Sequence, residues 1–410
     1  MPAKLWTRED AKMIVKRNGG VATLFLKGSI SAANAHEFEE ELLAAADEAQ
    51  GDALRLDAEE LAYISSAGLR ALVKLMKRCA DRVSVVNASS EVYDVFDMTG
   101  FTTLMDVKRR MREVSVEGCE LIGSGGYGKV YRLDEETIVK VYNPGISLEF
   151  VEQEHDVSQK AFLMGVPTAI SYDVVKVGDC YGVVFEMLDA KTTAQIIEAD
   201  PSQIPAISGA SAKLLKELHA IVPGPDAGLP NRKQLFLEWV DSLAAHLTQE
   251  ESDKIKAFLN AVPDRDTFLH GDYNAKNIMV LNGELQLIDI GDATIGHPVF
   301  DIAGLMLAYI ILPNSRGGAR SDEEMRALLG FDFDLAPKVW GVMCATYFGV
   351  SSQEEIGAIT QKLMPYCLLL MSYQSVRISG EDEQGIAMRV ERVLRQRFLP
   401  ALDNVAPLDF

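Results

Sequence analysis

Residues 21–27, VATLFLK, alternate and run apolar, and read as a strand ending at Gly28. Residues 31–50 then place apolar side chains at helical spacing, with Ser31 or Asn34 as the N-cap. Ala53–Leu56 reads as a buried strand, and Ile64 closes another short extended piece. Ser66–Cys79 puts Leu69, Leu72, Val73 and Met76 on one helical face, Val83–Val86 is a further strand, and Glu91–Met98 is a short helix. Strand and helix in alternation predict a compact α/β domain over residues 1–112.

After the basic segment Lys108–Arg112 the pattern changes. Leu121–Val130, LIGSGGYGKV, and Thr137–Val141 have a β pattern with a turn at Asp134–Glu136, giving strand, glycine loop, strand, turn, strand. Residues 147–163 form a helix, and Val183–Leu188 is an apolar strand reaching Asp189. From residue 191 the chain reads as helix after helix. The stretches Lys213–Ala220, Gln234–Leu247, Asp253–Ala261, Asp301–Ile311, Asp322–Leu329, Ala336–Val350 and Gln353–Val376 all carry apolar faces of period 3.6. The exception is a hairpin, where Ile278–Leu281 and a second apolar run flank Asn282–Gly283, the strongest short hairpin signal. The prediction is a bilobal α+β fold, with a β-rich N-lobe over 113–190 and a mostly helical C-lobe over 191–410.

A length of 410 residues agrees with more than one domain. The formal net charge of −20 argues against nucleic acid or an anionic membrane as partner, since both need clustered positive charge. The apolar runs Leu305–Leu312 and Cys367–Met371 fall short of the ~20 residues a membrane span needs, and the N-terminus lacks a signal-peptide core. Cys79, Cys119, Cys180, Cys344 and Cys367 are scattered, with no C-x-x-C pair, which points to reduced thiols and a cytoplasmic protein.

The candidate chemistry centres on FLHGDYNAKNIMVLNGELQLIDIGD, residues 268–292. The hairpin places Asp272 and Asn277 at one end and carries Asp289 back to it. Three oxygen-bearing side chains then converge, a donor set suited to Mg²⁺. For the glycines, a P-loop would need Ser or Thr where Val130 stands, and a dinucleotide fingerprint would need a following helix. Gly123, Gly125, Gly128 and Val130 instead fit G-x-G-x-x-G-x-V, the glycine-loop arrangement of protein kinases. Lys140 sits in the next strand, where a nucleotide-binding lysine belongs. Helix 147–163 should carry its acidic partner, with Glu154 placed before Glu152. The backbone of Glu186–Leu188 would hydrogen-bond an adenine as the inter-lobe hinge.

Two family resemblances follow. The turn G-S-I-S at Gly28–Ser31, the junction I-S-S-A-G-L at 64–69 and M-T-G-F at Met98–Phe101 resemble the STAS domain family of anti-anti-sigma factors, over about residues 10–110. That resemblance implies a regulatory or partner-binding module. It also makes Ser66 a candidate regulatory phosphorylation site, although Ser65 stands where the family has an acidic residue. An ordinary N-cap explains the same serines.

His270–Asn277 (H-G-D-x-x-x-x-N), Asp289 and Gly296–Ala303 (G-x-x-x-x-D-I-A) resemble the aminoglycoside phosphotransferase and choline kinase-like family, over about residues 115–400. The resemblance implies ATP-dependent transfer of a γ-phosphoryl group to a hydroxyl of a small molecule. Asp272 would accept the hydroxyl proton, and Asn277 and Asp289 would hold Mg²⁺. Lys140 would grip the α/β-phosphates. The loop Gly123, Ser124, Gly125, Gly126, Tyr127, Gly128, with Val130 behind it, would cover them. Asp301 and His270 would be structural, and Asp292 an extra carboxylate near the metal. The complete glycine loop and the fused first domain depart from this family. They keep two further readings open: a protein kinase acting on a serine such as Ser66, and a nucleotide-sensing adaptor. Asp322, Glu323 and Glu324 could attract a cationic acceptor or simply favour a helix N-terminus.

Overall fold

The computed structural model describes residues 15–18, 20–49, 52–79, 82–224, 227–314, 321–378, 382–408 and 410. The chain divides into two compact units, Met1–Val114 and Ser115–Phe410.

In the first unit, five strands lie in the order β1 (Val15–Asn18), β2 (Val21–Ile30), β3 (Ala53–Ile64), β4 (Val83–Ala88), β5 (Asp106–Arg109). β1 and β2 are antiparallel, and the other pairs are parallel. Helices α1 (Ala35–Glu48), α2 (Ser66–Cys79) and α3 (Ser90–Met98) are the connections parallel pairing requires. Leu24 and Leu56 of the sheet, Phe38 and Leu42 of α1, Leu72 of α2 and Phe96 of α3 belong to one core.

Two expectations need correction here. Ala53–Leu56 and Ile64 belong to a single strand, whose polar middle hid its continuity. There the pairing with β2 shifts register twice, and the Asp57 carboxylate is met by Asn87 Nδ2 at 3.1 Å. Of the two N-cap candidates Asn34 holds the position, but its side chain does not cap the helix. Its amide donates to the Ser29 carbonyl at 2.9 Å and accepts from the Ser31 N–H at 2.7 Å, closing the turn instead.

The second unit opens with an antiparallel sheet. The strands of this unit run across it in the order Ser171–Val177, Cys180–Glu186, Thr137–Tyr142, Gly128–Arg132, Leu121–Ser124. Helix α4 (Leu148–Leu163) packs on it. Its N-cap Ser147 accepts from the Phe150 N–H at 3.3 Å, and its Val151 meets Tyr142 and Val183 in a small core. The chain leaves α4 through Pro167 and Thr168, which tie this lobe to the hairpin: Leu287 N–H donates to Pro167 O at 2.7 Å, and Thr168 Oγ1 donates to Leu287 O at 3.0 Å.

The helical lobe shares one large core. Helical segments that the periodicity did not predict include Thr193–Ala199, Glu383–Arg389 and Val390–Phe398, the last wound as a π-helix, and the helix predicted over Lys213–Ala220 runs instead over Ile204–Leu218. The predicted helix from Asp301 begins at Val299, is α-helical to Met306, and turns π over Leu307–Ile311. The predicted strand to Leu188 ends at Glu186. Short strands Thr267–Leu269 and Thr294–Gly296 pair beside the Ile278–Leu281/Glu284–Leu287 hairpin. The hairpin turn has positive φ at Asn282 (52°) and Gly283 (87°), the type I′ signature of Asn-Gly.

The loop glycines differ in why they are glycine. A Cβ on Gly128 would overlap the Val141 carbonyl oxygen in the adjacent strand, whereas one on Gly125 or Gly126 would meet nothing within 4 Å. Gly128→Ala should therefore destabilise the chain by about 1–3 kcal/mol through overpacking. Gly125→Ala and Gly126→Ala should stay within about 0.5 kcal/mol of the parent. Urea unfolding of the three variants checks this; equal losses at all three positions would refute the distinction.

Candidate active site

The loop from His270 to Asn277 hangs from the helical core by its own backbone. The His270 N–H donates to Asp301 Oδ2 at 2.8 Å and the Gly271 N–H to Asp301 Oδ1 at 2.9 Å. His219 Nε2 lies 3.2 Å from the same carboxylate, and its Nδ1 lies 2.7 Å from the Tyr347 hydroxyl. Burial alone would raise the Asp301 pKa, but hydrogen bonds from His219 and the loop backbone outweigh it and hold the carboxyl below its usual range. Asp301 thus supports the loop and stands behind it. Further along, the Tyr273 hydroxyl donates to Ser211 O at 2.7 Å. The Ala275 N–H donates to the Tyr309 hydroxyl at 2.8 Å, and Ala275 O accepts from Thr193 Oγ1 and the Ala194 N–H, both at 2.9 Å. His270 is fully buried, and its Nδ1 accepts from the Asp272 N–H at 3.3 Å, a loop anchor.

Suspended this way, Asp272 faces the cleft with both carboxylate oxygens engaged. Asn274 Nδ2 donates to Oδ1 at 3.1 Å and Asn277 Nδ2 to Oδ2 at 2.9 Å. Its side chain is exposed, and the protein packed around it lowers its hydration. That desolvation, with the Asp289 and Asp292 carboxylates nearby, raises its pKa against the opposing effect of His270. A carboxylate made more basic is suited to taking a proton.

Lys140 is the junction of three elements. Its Nζ lies 2.6 Å from Glu154 Oε1 of α4 and 2.7 Å from Asp289 Oδ1 of the turn after the hairpin. Of the two glutamates proposed for this contact, Glu154 makes it. Burial opposes the Lys140 charge, but the two carboxylates reverse the balance and raise its pKa. The Glu154 pKa is raised as well: burial, with the Asp289 charge, outweighs the lowering effect of Lys140. Asp289 has φ of 60°, a left-handed conformation uncommon outside glycine and found where surrounding structure imposes it. The close approach of α4 depends on Gly291, where a Cβ would overlap Glu154 Cγ.

Asn277 and Asp289 are brought together through the backbone, with Ile288 N–H donating to Asn277 O at 3.0 Å. Among the described residues, no group of three His, Cys, Asp or Glu side chains forms a closed metal cage. One carboxylate and one amide suit Mg²⁺, which takes its other ligands from phosphate and water. The glycine loop is pinned at its tip: Asn143 Nδ2 donates to Gly126 O at 2.9 Å and the Asn143 N–H to Tyr127 O at 2.8 Å. Val130 pairs with Lys140 across the sheet. After the strand Cys180–Glu186, the Glu186 and Met187 N–H groups are used by Ile170 O (2.9 Å) and Glu136 O (2.7 Å). The buried Leu188 keeps an N–H without a partner among the described residues.

Sequence reasoning missed Gly291, Tyr309 and Arg232. Buried Arg232 donates Nη2 to the Asp292 carbonyl at 2.8 Å and Nε to Thr294 Oγ1 at 3.2 Å. Only Gly291, inside I-G-D, had a local signal; the other two act from distant helices. Glu324 closes a capping box with Ser321, which accounts for it without an acceptor. In the first unit Ser66 is exposed at the first residue of α2. The Ser65 hydroxyl, 3.4 Å from the Gly68 N–H, takes the capping position.

Residues 118–337 match the phosphotransferase enzyme family and residues 12–114 match the STAS domain. The chain belongs to the phosphotransferase enzyme family and carries an STAS domain ahead of its kinase-like fold. The first unit is 30% identical over 99 residues to "Putative anti-sigma factor antagonist BtrV" of Bordetella bronchiseptica, covering 23% of this chain and 84% of that protein. Among solved structures, the streptomycin–ATP–APH(2")-IIa ternary complex is similar at 19% identity and TM-score 0.45, covering 77% of this chain and 99% of that one. A choline/ethanolamine kinase family protein from Mesorhizobium loti is similar at 14% identity and TM-score 0.44, covering 69% and 92%. No helix among the described residues is long and apolar enough to cross a membrane.

Asp301→Ala should strand the His270 and Gly271 N–H groups, at about 1–3 kcal/mol for each unmet buried group. Chemical unfolding should show the loss, and hydrogen exchange should show early opening at Gly271. Wild-type protection at that amide would contradict the suspension.

Proposed function

We propose that the second unit is an ATP- and Mg²⁺-dependent phosphotransferase acting on a hydroxyl of a small molecule. The observation that carries this reading is Lys140 held between Glu154 and Asp289, beside the Asp272–Asn277 pair. In this reading Lys140, oriented by Glu154, grips the α/β-phosphates. Backbone N–H groups of Gly123–Gly128 cover them, with Ser124, Gly125, Gly126 and Tyr127 forming the span and Val130 packing behind it. Glu186 and Leu188 of the hinge bound the adenine, for which the Leu188 N–H is the available donor. Asn277 and Asp289 would hold Mg²⁺, which when bound neutralises phosphate charge. Asp272 orients the acceptor hydroxyl and receives its proton, and most of the rate comes from positioning and charge stabilisation.

The STAS unit is proposed as a regulatory or protein-binding module. One observation favours a second reading, in which the kinase-like unit modifies a STAS serine. Ser66 is exposed while Ser65 takes the capping position, so the Ser66 hydroxyl is available. The five unpaired cysteines fit a reducing, cytoplasmic setting.

Asp272→Asn should lower Mg·ATP turnover by about 100-fold or more while leaving the unfolding midpoint near wild type, and Asp289→Asn should lower turnover as much while also lowering the midpoint, because Lys140 then keeps Glu154 alone. The assay is phosphate transfer across a panel of amino sugars, choline-like amines and sugars, with mass spectrometry of the protein itself. Near-normal turnover in Asp289→Asn would sink the assignment. Phosphate on Ser66 that vanishes in Asp272→Asn would favour the second reading, and nucleotide binding with no acceptor at all would favour a sensing adaptor.

A further inference from the structure

The glycine loop is gripped from the helical lobe as well as from its own sheet. Arg377, next to the last residue of helix Gln353–Ile378, donates Nη2 to the Tyr127 hydroxyl at 3.2 Å, across 250 residues of sequence. The same guanidinium lies 5.4 Å from the Tyr373 ring centroid. Tyr373 is in turn fixed edge-on against Phe236 and Trp239, at 5.1 and 5.5 Å. On the other side, the Tyr127 ring packs 5.7 Å from Phe150 of α4. Burial opposes the Arg377 charge, but Tyr373, Tyr127 and Asp292 outweigh it and keep the guanidinium firmly charged. Arg377 lies beyond residue 337, where the family match ends.

We propose that Arg377 is a positioning residue that latches the glycine loop over the cleft through the Tyr127 hydroxyl. The inference rests on the phosphotransferase reading for its role in nucleotide retention, though the latch itself is a contact of the free protein. Its physical basis is that no side chain packs the loop at Gly125 or Gly126, which leaves its position to the Asn143 hydrogen bonds and to Tyr127. Gly125 and Gly126 have open space on the side where a Cβ would project, so contacts at the tip decide where the loop rests. A planar guanidinium can lie against Tyr373 while donating sideways to Tyr127, which an ammonium cannot reproduce. The Asp292 carboxylate, three residues past Asp289, also favours the charge on this cation.

The test uses the full chain and the substitutions Arg377→Met, Arg377→Lys and Tyr127→Phe, the last keeping the ring on Phe150 and removing only the hydroxyl. Without nucleotide, hydrogen exchange at residues 125–128 should rise about tenfold in each single variant, the size expected for one charge-assisted hydrogen bond. The Arg377→Met/Tyr127→Phe double should be no faster than either single, because both remove the same contact. Unchanged exchange in the singles, or additive effects in the double, would overturn the latch. With a fluorescent Mg·ATP analogue, release should be about tenfold faster in Arg377→Met, with KM for ATP raised more than kcat is lowered. If wild type binds no analogue, the nucleotide reading fails, and the exchange data still decide the latch.

Discussion

One buried cation shared by two carboxylates holds the proposed site together. Lys140 comes from the sheet, Glu154 from α4 and Asp289 from the turn behind the hairpin, so a single ammonium sets the relative placement of three elements. Burying charges is unfavourable unless partners meet them, and removing one member leaves the others uncompensated. The arrangement therefore depends on an unusual backbone at Asp289 and on a missing side chain at Gly291. In the proposed reading the two carboxylates differ in duty: Glu154 would serve Lys140 alone, whereas Asp289 would serve both Lys140 and Mg²⁺.

The second half of the site is arranged differently. Asp272 and Asn277 sit on a loop with little structure of its own, held by Asp301, Tyr273 and Tyr309 to helices that form the main core. Precision there comes from backbone hydrogen bonds into a packed interior, which suits a group that must meet a hydroxyl within hydrogen-bond reach. The lysine side is set by charge, and the aspartate side by suspension.

Much of this was legible in the sequence, for local reasons. Asn282–Gly283 announces its turn, the glycine loop announces a β arrangement because no helix follows it, and H-G-D-x-x-x-x-N fixes which residues share the loop. What was not legible acts at long range. Nothing in the periodicity separated Glu152 from Glu154, because both lie on an exposed-looking helix and the turn at Gly291 that packs against Glu154 is far away in sequence. The continuity of β3 was hidden by Asp57, Glu59 and Glu60, which interrupt an apolar pattern that the parallel ladder tolerates through register shifts. Tyr309 and Arg232 carry no signature, since an aromatic in a buried helix and an arginine at a helix start are common for ordinary reasons.

The π-turn at Leu307–Ile311 makes the active loop sensitive to counting as well as to chemistry. An α-helix advances each residue by about 100° around its axis. The Tyr309 hydroxyl meets the Ala275 N–H from within this turn, where the helix from Val299 carries its extra residue. Losing one residue upstream would leave every side chain chemically intact yet swing this phenol away from its amide. Along this helix, length is constrained as tightly as identity, and an insertion or deletion would do damage that no single replacement at the same position could equal.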